Sequence, residues 1–219
     1  ELREEQILQK ILSRFPKIKI LVIGDVMMDR FIWGKVSRIS PEAPVPVVVV
    51  DHEDFRLGGA ANVVNNIHSL EGKGILCGVV GDDEMGQRIM NELAEKEIAT
   101  EGIFMEEERQ TTVKTRIFAN QQQVVRIDRE KTDHMKGATF RIVSKFLFEK
   151  IEESAGIILS DYGKGLLNRR LIRAIIRKAR ESRKFVMVDP KFKDYSVYRG
   201  ATVITPNTKE ASEASGITI

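Results

Sequence analysis

The 219-residue sequence is poor in cysteine and aromatic residues, and it lacks long apolar runs. Its one cysteine, Cys77, lies in an apolar segment, where we expect a buried, reduced thiol rather than a disulfide or a nucleophile. No spacing of Cys and His suits zinc, and the three histidines lie in unrelated contexts. No apolar segment approaches the length that crosses a bilayer, and the N-terminus is acidic and polar. We therefore expect a cytoplasmic protein that has no membrane partner.

The numbers of basic and acidic residues are nearly balanced. The 35 basic and 32 acidic residues leave a formal charge of +3, which does not argue for nucleic acid as a partner. One predicted helix, over residues 168–182, is nevertheless strongly basic on the side opposite its apolar stripe. A solvated outer face is favoured there over a nucleic-acid surface. The basic residues are Arg169, Arg170, Arg173, Arg177, Lys178 and Arg180.

Three common catalytic patterns are missing. The sequence has no G-x-x-x-x-G-K-[ST] phosphate loop and no G-x-G-x-x-G opening a helix after a strand, so neither a P-loop enzyme nor a Rossmann dehydrogenase is supported. No Ser-His-Asp set is visible either. An apolar content of 42% with 31% charged residues is typical of a globular domain, and the length suffices for one well-packed core.

Apolar strand-like runs alternate with helical patterns along most of the chain. This alternation predicts an α/β fold, with a mainly parallel central sheet and helices on both faces. Strands are predicted at 18–23, 75–80, 156–160, 185–188 and 201–205, and helices at 2–15, 60–70, 85–98, 134–153 and 168–182, with a last helix beginning at Asn207.

Two segments depart from this rhythm, at about residues 30–56 and 111–128. The first contains three prolines and then Val47-Val48-Val49-Val50, which indicates extended strands outside the main sheet. In the second, two β-prone runs flank Asn120-Gln121-Gln122, which indicates a hairpin. Together the two segments are expected to form a small second sheet, a candidate lid.

All five predicted strands end in polar or charged residues. Parallel strands place these ends at one rim, where ligands of open α/β sheets bind. One such aspartate is usually a helix cap, the interpretation favoured for Asp82, but five polar exits together favour a site. The exits are Gly24-Asp25, Gly81-Asp82, Ser160-Asp161, Asp189-Pro190-Lys191 and Thr205-Pro206-Asn207.

These side chains suit a phosphorylated polyhydroxy compound. Carboxylates such as Asp25, Asp29 and Asp161 accept hydrogen bonds from sugar hydroxyls, and arginine and lysine side chains bind phosphate. Which basic residue holds the phosphate stays open. The candidates are Arg38, Arg126, Lys164 and Lys191, and any of them could instead form a surface ion pair.

A glycine pair precedes the second predicted helix. Gly58 and Gly59 allow a sharp turn or a close approach of the backbone to a ligand, and Asn62 lies in the first helical turn. A tight strand-to-helix connection without any ligand accounts for the pair equally well.

These motifs together resemble the opening of bacterial D-glycero-β-D-manno-heptose 7-phosphate kinases, which are ribokinase-like carbohydrate kinases of the PfkB type. The resemblance runs from about Ile18 to the last residue. The segment Ser37-Arg38-Ile39-Ser40-Pro41-Glu42-Ala43-Pro44 distinguishes heptose kinases from other ribokinases. Further matches are Gly24–Arg30, Gly58–Asn62, Asn120–Gln122 with Arg126 and Asp128, Leu159–Gly165, Asp189–Lys191, Tyr198–Thr202 and Thr205–Glu210.

The resemblance implies a function and a set of site residues. It implies ATP-dependent phosphorylation of the anomeric hydroxyl of heptose 7-phosphate, for lipopolysaccharide core synthesis, in a three-layer α/β/α fold. Asp29 and Asn62 match sugar-binding residues of the family. Asn207 and Glu210 match residues that organise Mg²⁺, through water, and the ATP phosphates, and Thr208 and Lys209 lie in the same motif. The two departing segments match a β-lid that often forms a dimer clasp, so a homodimer is expected.

One family motif is absent. A Gly-Ala-Gly-Asp segment, which supplies the catalytic base in the family, is not found before Ile219. We therefore expect residues 1–219 to be the N-terminal part of one kinase domain, with the base aspartate downstream and little activity alone. Two alternatives stay open: a ribokinase-like kinase for another sugar or sugar phosphate, and a non-catalytic sugar-phosphate-binding or dimerisation module. A nucleotidyltransferase domain in the parent chain also stays open.

Overall fold

The computed structural model describes the backbone of residues 2–218 and the side chains of residues 4–218, so the predicted apolar position at Leu2 has no described side chain. The strands are β1 (Lys19–Gly24), β2 (Val26–Ile39), β3 (Pro46–Gly59), β4 (Lys73–Gly81), β5 (Ile103–Glu106), β6 (Thr112–Ala119), β7 (Gln122–Arg129), β8 (Gly156–Ser160), β9 (Phe185–Asp189) and β10 (Val203–Ile204). The α-helices are α1 (Leu2–Leu12), α2 (Ala60–Ser69), α3 (Glu84–Glu95), α4 (Gly137–Glu153), α5 (Arg169–Glu181) and α6 (Thr208–Ser215), with 3₁₀ turns at Phe15–Lys17 and Tyr195–Tyr198.

Six strands form the main sheet, in the order β10-β9-β8-β1-β4-β5. Every pair in this sheet is parallel. All carboxyl ends therefore lie at one edge, called the rim below. The predicted parallel sheet with its polar exits at a single rim is confirmed.

Helices cover both faces of the main sheet. On one face α4 and α5 pack through buried aliphatic side chains, and on the other α2 and α3 do so. The apolar stripe predicted for α5 is confirmed because its five members are all buried. They are Leu171, Ile172, Ile175, Ile176 and Ala179. Cys77 is also buried, and burial raises the pKa of its thiol. The three-layer α/β/α arrangement is confirmed.

The two departing segments form the second sheet, called the small sheet below, in the order β3-β2-β6-β7. β2 pairs antiparallel with β3 and parallel with β6, and β6 and β7 form the predicted hairpin. β2 starts only two residues after β1 ends, and β3 runs directly into α2. The small sheet is therefore attached to the main sheet at the rim.

Several boundaries differ from those predicted. The short edge strand β5 was missed because its apolar run, Ile103-Phe104-Met105, is only three residues long. α3 ends at Glu95 rather than at Ile98, because Glu97 adopts a positive φ of 57° and the Ile98 N–H folds back to the Leu93 carbonyl. α4 begins at Gly137 rather than at His134, because the Lys136 N–H donates to the Glu106 carboxylate.

Two apolar surfaces stay exposed. The predicted amphipathic helix α1 forms, but it ends at Leu12, and the apolar side chains at Ile7, Leu8, Ile11 and Leu12 are exposed. On β9, Phe185 and Met187 are exposed while Val186 and Val188 are buried, so one face of this end of the sheet is uncovered. α6 has no buried residue. None of the helices described is both long and apolar enough to cross a membrane.

Candidate active site at the rim

Asp25 lies at the centre of the rim, between β1 and β2, and is almost completely buried. One of its carboxylate oxygens accepts hydrogen bonds from the backbone N–H groups of Tyr162 and Lys164, at 2.9 and 3.0 Å, and the other accepts one from Leu166 at 3.3 Å. Burial raises the pKa of Asp25, and these three hydrogen bonds oppose the rise. Asp25 thus holds the loop that follows β8, with its carboxylate occupied by backbone rather than open to the cleft.

Asp161 holds the loop that follows β9, through the hydroxyl of Tyr198. Its carboxylate accepts from the Gly163 N–H at 3.0 Å and from the Tyr198 hydroxyl at 3.1 Å. That hydroxyl in turn accepts from the N–H groups of Lys191 and Phe192. Burial, together with the nearby charge of Asp25, raises the pKa of Asp161 to about 6. Two buried carboxylates therefore fix two rim loops.

Asp29 points from β2 toward the rim and is accessible. Its carboxylate pairs with the Arg116 guanidinium at 2.5 Å, and its side chain is 22% exposed. Gly58 on β3 makes room for it, because a Cβ at Gly58 would lie 2.7 Å from the Asp29 carboxylate and 2.8 Å from Met27. The glycine is needed for this placement, since real Cβ atoms essentially never make contacts under 3.0 Å.

Gly59 makes the turn into α2. Its φ of 56° lies in the left-handed region, and a Cβ there would lie 2.3 Å from the Asp25 carbonyl oxygen. That carbonyl accepts the Ala60 N–H at 3.0 Å. Asn62 follows in the first turn of α2 with an exposed side chain. The glycine pair thus brings the start of α2 beside Asp29 and Asp25.

Basic and acidic groups line the same face of the small sheet as Asp29. Lys114 lies directly opposite Asp29 in the register, and Asp128 lies opposite Lys114, so the three share one face. The Lys114 ammonium lies 3.4 Å from the Asp128 carboxylate and 3.7 Å from that of Glu130. Lys164, from the loop after β8, pairs with Glu130 at 2.7 Å. Through Glu130, these ion pairs join this face to the loop after β8 in one polar region of the rim, called the rim cleft below.

The other candidates for phosphate binding lie in different places. Arg126 is half exposed on β7 and pairs with Asp128 at 3.0 Å, at the border of the rim cleft. Lys191 is exposed in the loop after β9, and its positive charge partly opposes the rise in the pKa of Asp161. Arg38 lies nine residues beyond Asp29 on β2, a span of about 30 Å along an extended strand. Arg38 is therefore not brought to the rim cleft of its own chain.

The predicted ATP and Mg²⁺ residues lie at the β10 end of the rim. Asn207 and Glu210 form a capping box at the start of α6, with hydrogen bonds of 2.9 and 3.0 Å between each side chain and the other's N–H. Thr208 and Lys209 are exposed in the same turn. The carboxylate of Glu210 contributes to the raised pKa of Asp189, after burial. The two carboxylates therefore lie near enough at this end of the rim for the charge of Glu210 to act on Asp189.

Comparison of the sequence with known protein families identifies the class of protein that has this arrangement. The pfkB family carbohydrate kinase pattern matches residues 17–219. The chain belongs to this family. The sequence resemblance is confirmed at this level, and an α/β fold with an attached small sheet agrees with it.

Relatives with curated names are similar over most of the chain. The chain is 49% identical over 196 residues to the bifunctional protein HldE of Helicobacter pylori strain P12, and 45% identical over 216 residues to that of Citrifermentans bemidjiense. These alignments cover 90% and 99% of the chain but only 42% and 44% of the relatives. The chain thus spans less than half the length of these relatives.

Solved structures show the same fold at low identity. A ribokinase from Arabidopsis thaliana, complexed with ribose and ATP, superposes with a TM-score of 0.68 at 13% identity, covering 92% of the chain and 63% of that structure. Phosphofructokinase-2 from Escherichia coli, in its tetrameric inhibited form, gives 0.67 at 17% identity, covering 91% and 64%. The ribokinase-like fold is confirmed.

Several residues of the site were missed from the sequence. Arg116, the partner of Asp29, lies 87 positions away and becomes visible only through the pairing of β2 with β6. Arg109 pairs with Glu106 and donates to the carbonyls of Lys164 and Asp133, so it holds the loop after β8 from the other side. Both arginines lie in or beside the predicted hairpin segment, where polar residues had no predicted partner.

Asp82 was assigned wrongly. The residue that caps α3 is Asp83, whose carboxylate accepts from the Gly86 N–H and from the Thr111 N–H, each at 2.8 Å. Asp82 is exposed. The sequence pattern Gly-Asp-Asp offers two aspartates in a row, and only the backbone geometry distinguishes the one that caps.

Proposed function

We propose that this chain supplies the sugar-phosphate site of an ATP-dependent kinase that phosphorylates the anomeric hydroxyl of D-glycero-β-D-manno-heptose 7-phosphate. The observation that carries the proposal is the rim cleft, in which an accessible carboxylate at Asp29 lies among Lys114, Arg116 and Lys164. A carboxylate accepts hydrogen bonds from sugar hydroxyls, and lysine and arginine side chains bind phosphate. Extensive identity to proteins named HldE and the heptose-kinase segment at residues 37–44 support this substrate.

The sugar lies, in this proposal, between the small sheet and the start of α2. Asp29 orients the hydroxyls, the Asn62 amide donates and accepts from the first helical turn, and Gly58 and Gly59 allow the backbone to approach. Arg116 holds the Asp29 carboxylate in place through their ion pair. Asp25 and Asp161 act through the loops they hold, because their own carboxylates are buried and hydrogen-bonded to the protein.

The 7-phosphate binds, in this proposal, at the lysines of the rim cleft. Lys164 is favoured among the candidates because it reaches the face that carries Asp29, and Lys114 joins it there. Arg126 and Lys191 lie at the borders of the cleft and stay candidates. Arg38 would act only on a second copy of the chain, through contacts between small sheets.

The β10 end of the rim is proposed to hold ATP and Mg²⁺. Among the described residues no cluster of three or more His, Cys, Asp or Glu side chains forms a metal cage. Mg²⁺ is usually held by one or two carboxylates, waters and substrate phosphates, so the carboxylates of Glu210 and Asp189 at this end of the rim fit such a site. Asn207, Thr208 and Lys209 lie beside them. When bound, the metal neutralises phosphate charge, and the protein contributes mainly positioning.

Two further parts of the proposal concern the site's completion and assembly. The base aspartate is proposed to come from a Gly-Ala-Gly-Asp segment, which these 219 residues do not contain, and the protein is proposed to be cytoplasmic. The small sheet is proposed to close the cleft against water and to form a homodimer. A stacked aromatic row supports this dimer, with 4.4 Å between the ring centroids of Trp33 and Phe118 and with Phe31 and His52 alongside.

The test is a substrate panel on the full gene product. ATP-dependent phosphorylation of heptose 7-phosphate should exceed that of fructose 6-phosphate and of ribose, with the new phosphate on the anomeric oxygen. A preference for fructose 6-phosphate or ribose would contradict the proposal. A stop codon immediately after codon 219 would instead favour a non-catalytic binding module.

A further inference from the structure

A second polar groove lies beside α5, on the face of the main sheet that α4 and α5 cover, away from the rim cleft. It has a volume of about 820 Å³ and runs between α5 and the 3₁₀ turn at Tyr195–Tyr198. Three arginines of α5, at positions 173, 177 and 180, line one side, and Arg199 lines the other. Ile176 and Val197 form an apolar floor.

The positive charge of this groove is not neutralised by the surrounding protein. Among the described residues, none of the four arginines has a carboxylate within ion-pair distance. Two other acidic residues of the same layer are engaged elsewhere, since Asp194 pairs with Arg169 at 2.6 Å and Glu152 pairs with Lys178. Glu181 also lines the groove, which leaves an excess of three positive charges.

The fold does not account for this arrangement. α5 packs on the sheet through its buried aliphatic stripe, to which the arginines do not belong. Like charges four residues apart, as at Arg173 and Arg177, destabilise a helix by about 0.2–0.5 kcal/mol. The helix dipole favours cations in the last turn, which explains Arg180, but not Arg173 or Arg199.

The groove is separate from the proposed kinase site. α5 begins just after the rim loop that follows β8 and runs back toward the opposite edge of the sheet. Arg199 comes before β10, whereas Asn207 follows it, and Arg180 packs 3.1 Å from the position of a Cβ on Gly200. The basic groove therefore extends toward the edge opposite the rim.

We propose that this groove binds a small ligand that carries two or more phosphate groups, as a second site distinct from the rim cleft. Residues 173 and 180 are separated by seven helical positions, about 10 Å, which matches an extended polyphosphate better than one phosphate ion. Arginine forks bind phosphate oxygens in pairs, and the apolar floor suits an uncharged part of the ligand. No aromatic side chain among the described residues lines the groove, so stacking of nucleic-acid bases has no platform there.

The test uses the full gene product, with inorganic pyrophosphate and tripolyphosphate as probes and inorganic phosphate as the comparison. In NMR spectra, the backbone amide resonances of residues 173–180 and 196–199 should shift on titration. The double variant Arg177→Gln/Arg199→Gln should bind tripolyphosphate at least tenfold more weakly. The matched control is Arg141→Gln/Lys145→Gln on α4, which removes the same charge from an exposed helix surface and should leave the affinity unchanged.

Three results would overturn the proposal. The first is an equal loss of affinity in both double variants, which would indicate attraction by net charge only. The second is an absence of shifts in the groove, with all shifts at residues 207–210. The third is tighter binding of a duplex oligonucleotide than of tripolyphosphate, lost in the groove variant, which would make the groove a nucleic-acid surface. None of these outcomes depends on phosphorylation of heptose 7-phosphate.

Discussion

The two ends of the rim differ in how their polar groups are held. Beside the small sheet, the buried carboxylate of Asp25 accepts backbone N–H groups from a distant loop, and that of Asp161 accepts the hydroxyl of the distant Tyr198. At the β10 end, Asn207 and Glu210 hold only each other, on a helix with no buried residue. Hydrogen bonds over long sequence separations couple a loop to the core, whereas a local capping box stabilises one turn. The sugar end is therefore preorganised within this chain, whereas the nucleotide end is held mainly by local contacts and by the exposed ion pair of Lys193 with Glu213.

The largest expected effect comes from removing the carboxylate of Asp25. Asp25→Ala leaves three N–H groups of residues 162–166 without their acceptor in a buried site, which should lower the free energy of unfolding by about 3 kcal/mol or more. Urea unfolding followed by circular dichroism measures this. The control is Asp82→Ala, an exposed rim aspartate, for which a change within about 0.5 kcal/mol is expected. Equal effects of the two changes would contradict the special role of the buried carboxylate.

The second effect concerns the pH dependence of stability. The pKa of Asp161 is raised to about 6 from an ordinary value of 3.8. Between these values the native state binds more protons than the unfolded state, so the stabilisation from Asp161 is complete below pH 3.8 and is lost as the pH rises through about 6. Asp161→Asn should therefore destabilise more at pH 4 than at pH 7, by about 2–3 kcal/mol. A carboxyl pKa near 4 by carbon NMR would contradict this.

The third effect separates binding from folding. Gly58→Ala places a methyl group 2.7 Å from the Asp29 carboxylate, so the sugar-phosphate affinity should fall at least tenfold while stability falls by about 1–2 kcal/mol. Gly137→Ala is the control, because a Cβ at Gly137 has open space around it. Calorimetric titration and thermal unfolding measure the two quantities. Unchanged affinity in Gly58→Ala would remove Asp29 from the site.

The smallest effect compares the same substitution at two helix caps. Asn168 caps α5, which is buried along one face, and Asn207 caps α6, which is not. Asn168→Ala should lower global stability by about 1 kcal/mol. Asn207→Ala should lower it by less than about 0.5 kcal/mol while speeding hydrogen exchange in α6, because that helix can unfold without the core. A larger global effect at Asn207 would show that α6 is coupled to the core.

The same comparison explains what could be predicted from the sequence. Buried parallel strands leave long apolar runs with polar exits, so the main sheet and its rim were predictable. The segment predicted at about residues 30–56 is shorter than the span of β2 and β3, from Val26 to Gly59, because the adjacent charges of Asp29 and Arg30 interrupt the apolar pattern of a strand. The capping box at Asn207 was visible as a local motif, since its partners are three residues apart.

The long-range contacts of the site could not be predicted in the same way. Arg116 reaches Asp29, and Tyr162, Lys164 and Leu166 reach Asp25, only after parallel pairing brings residues 87 to 141 positions apart together. No local pattern encodes such a register. For that reason Asp25 was expected to contact the sugar directly, whereas in the structure its carboxylate accepts hydrogen bonds from the loop after β8.

The central claim is that the rim cleft of this chain is a preformed sugar-phosphate site. NMR spectra of the backbone amide groups, recorded during titration with heptose 7-phosphate, test it most directly. Shifts should appear at residues 29, 58–62, 114–116 and 164, with none in the groove of α5, and Asp29→Ala should abolish them. Shifts confined to that groove or to residues 207–210, or shifts at the rim cleft that survive in Asp29→Ala, would contradict the claim.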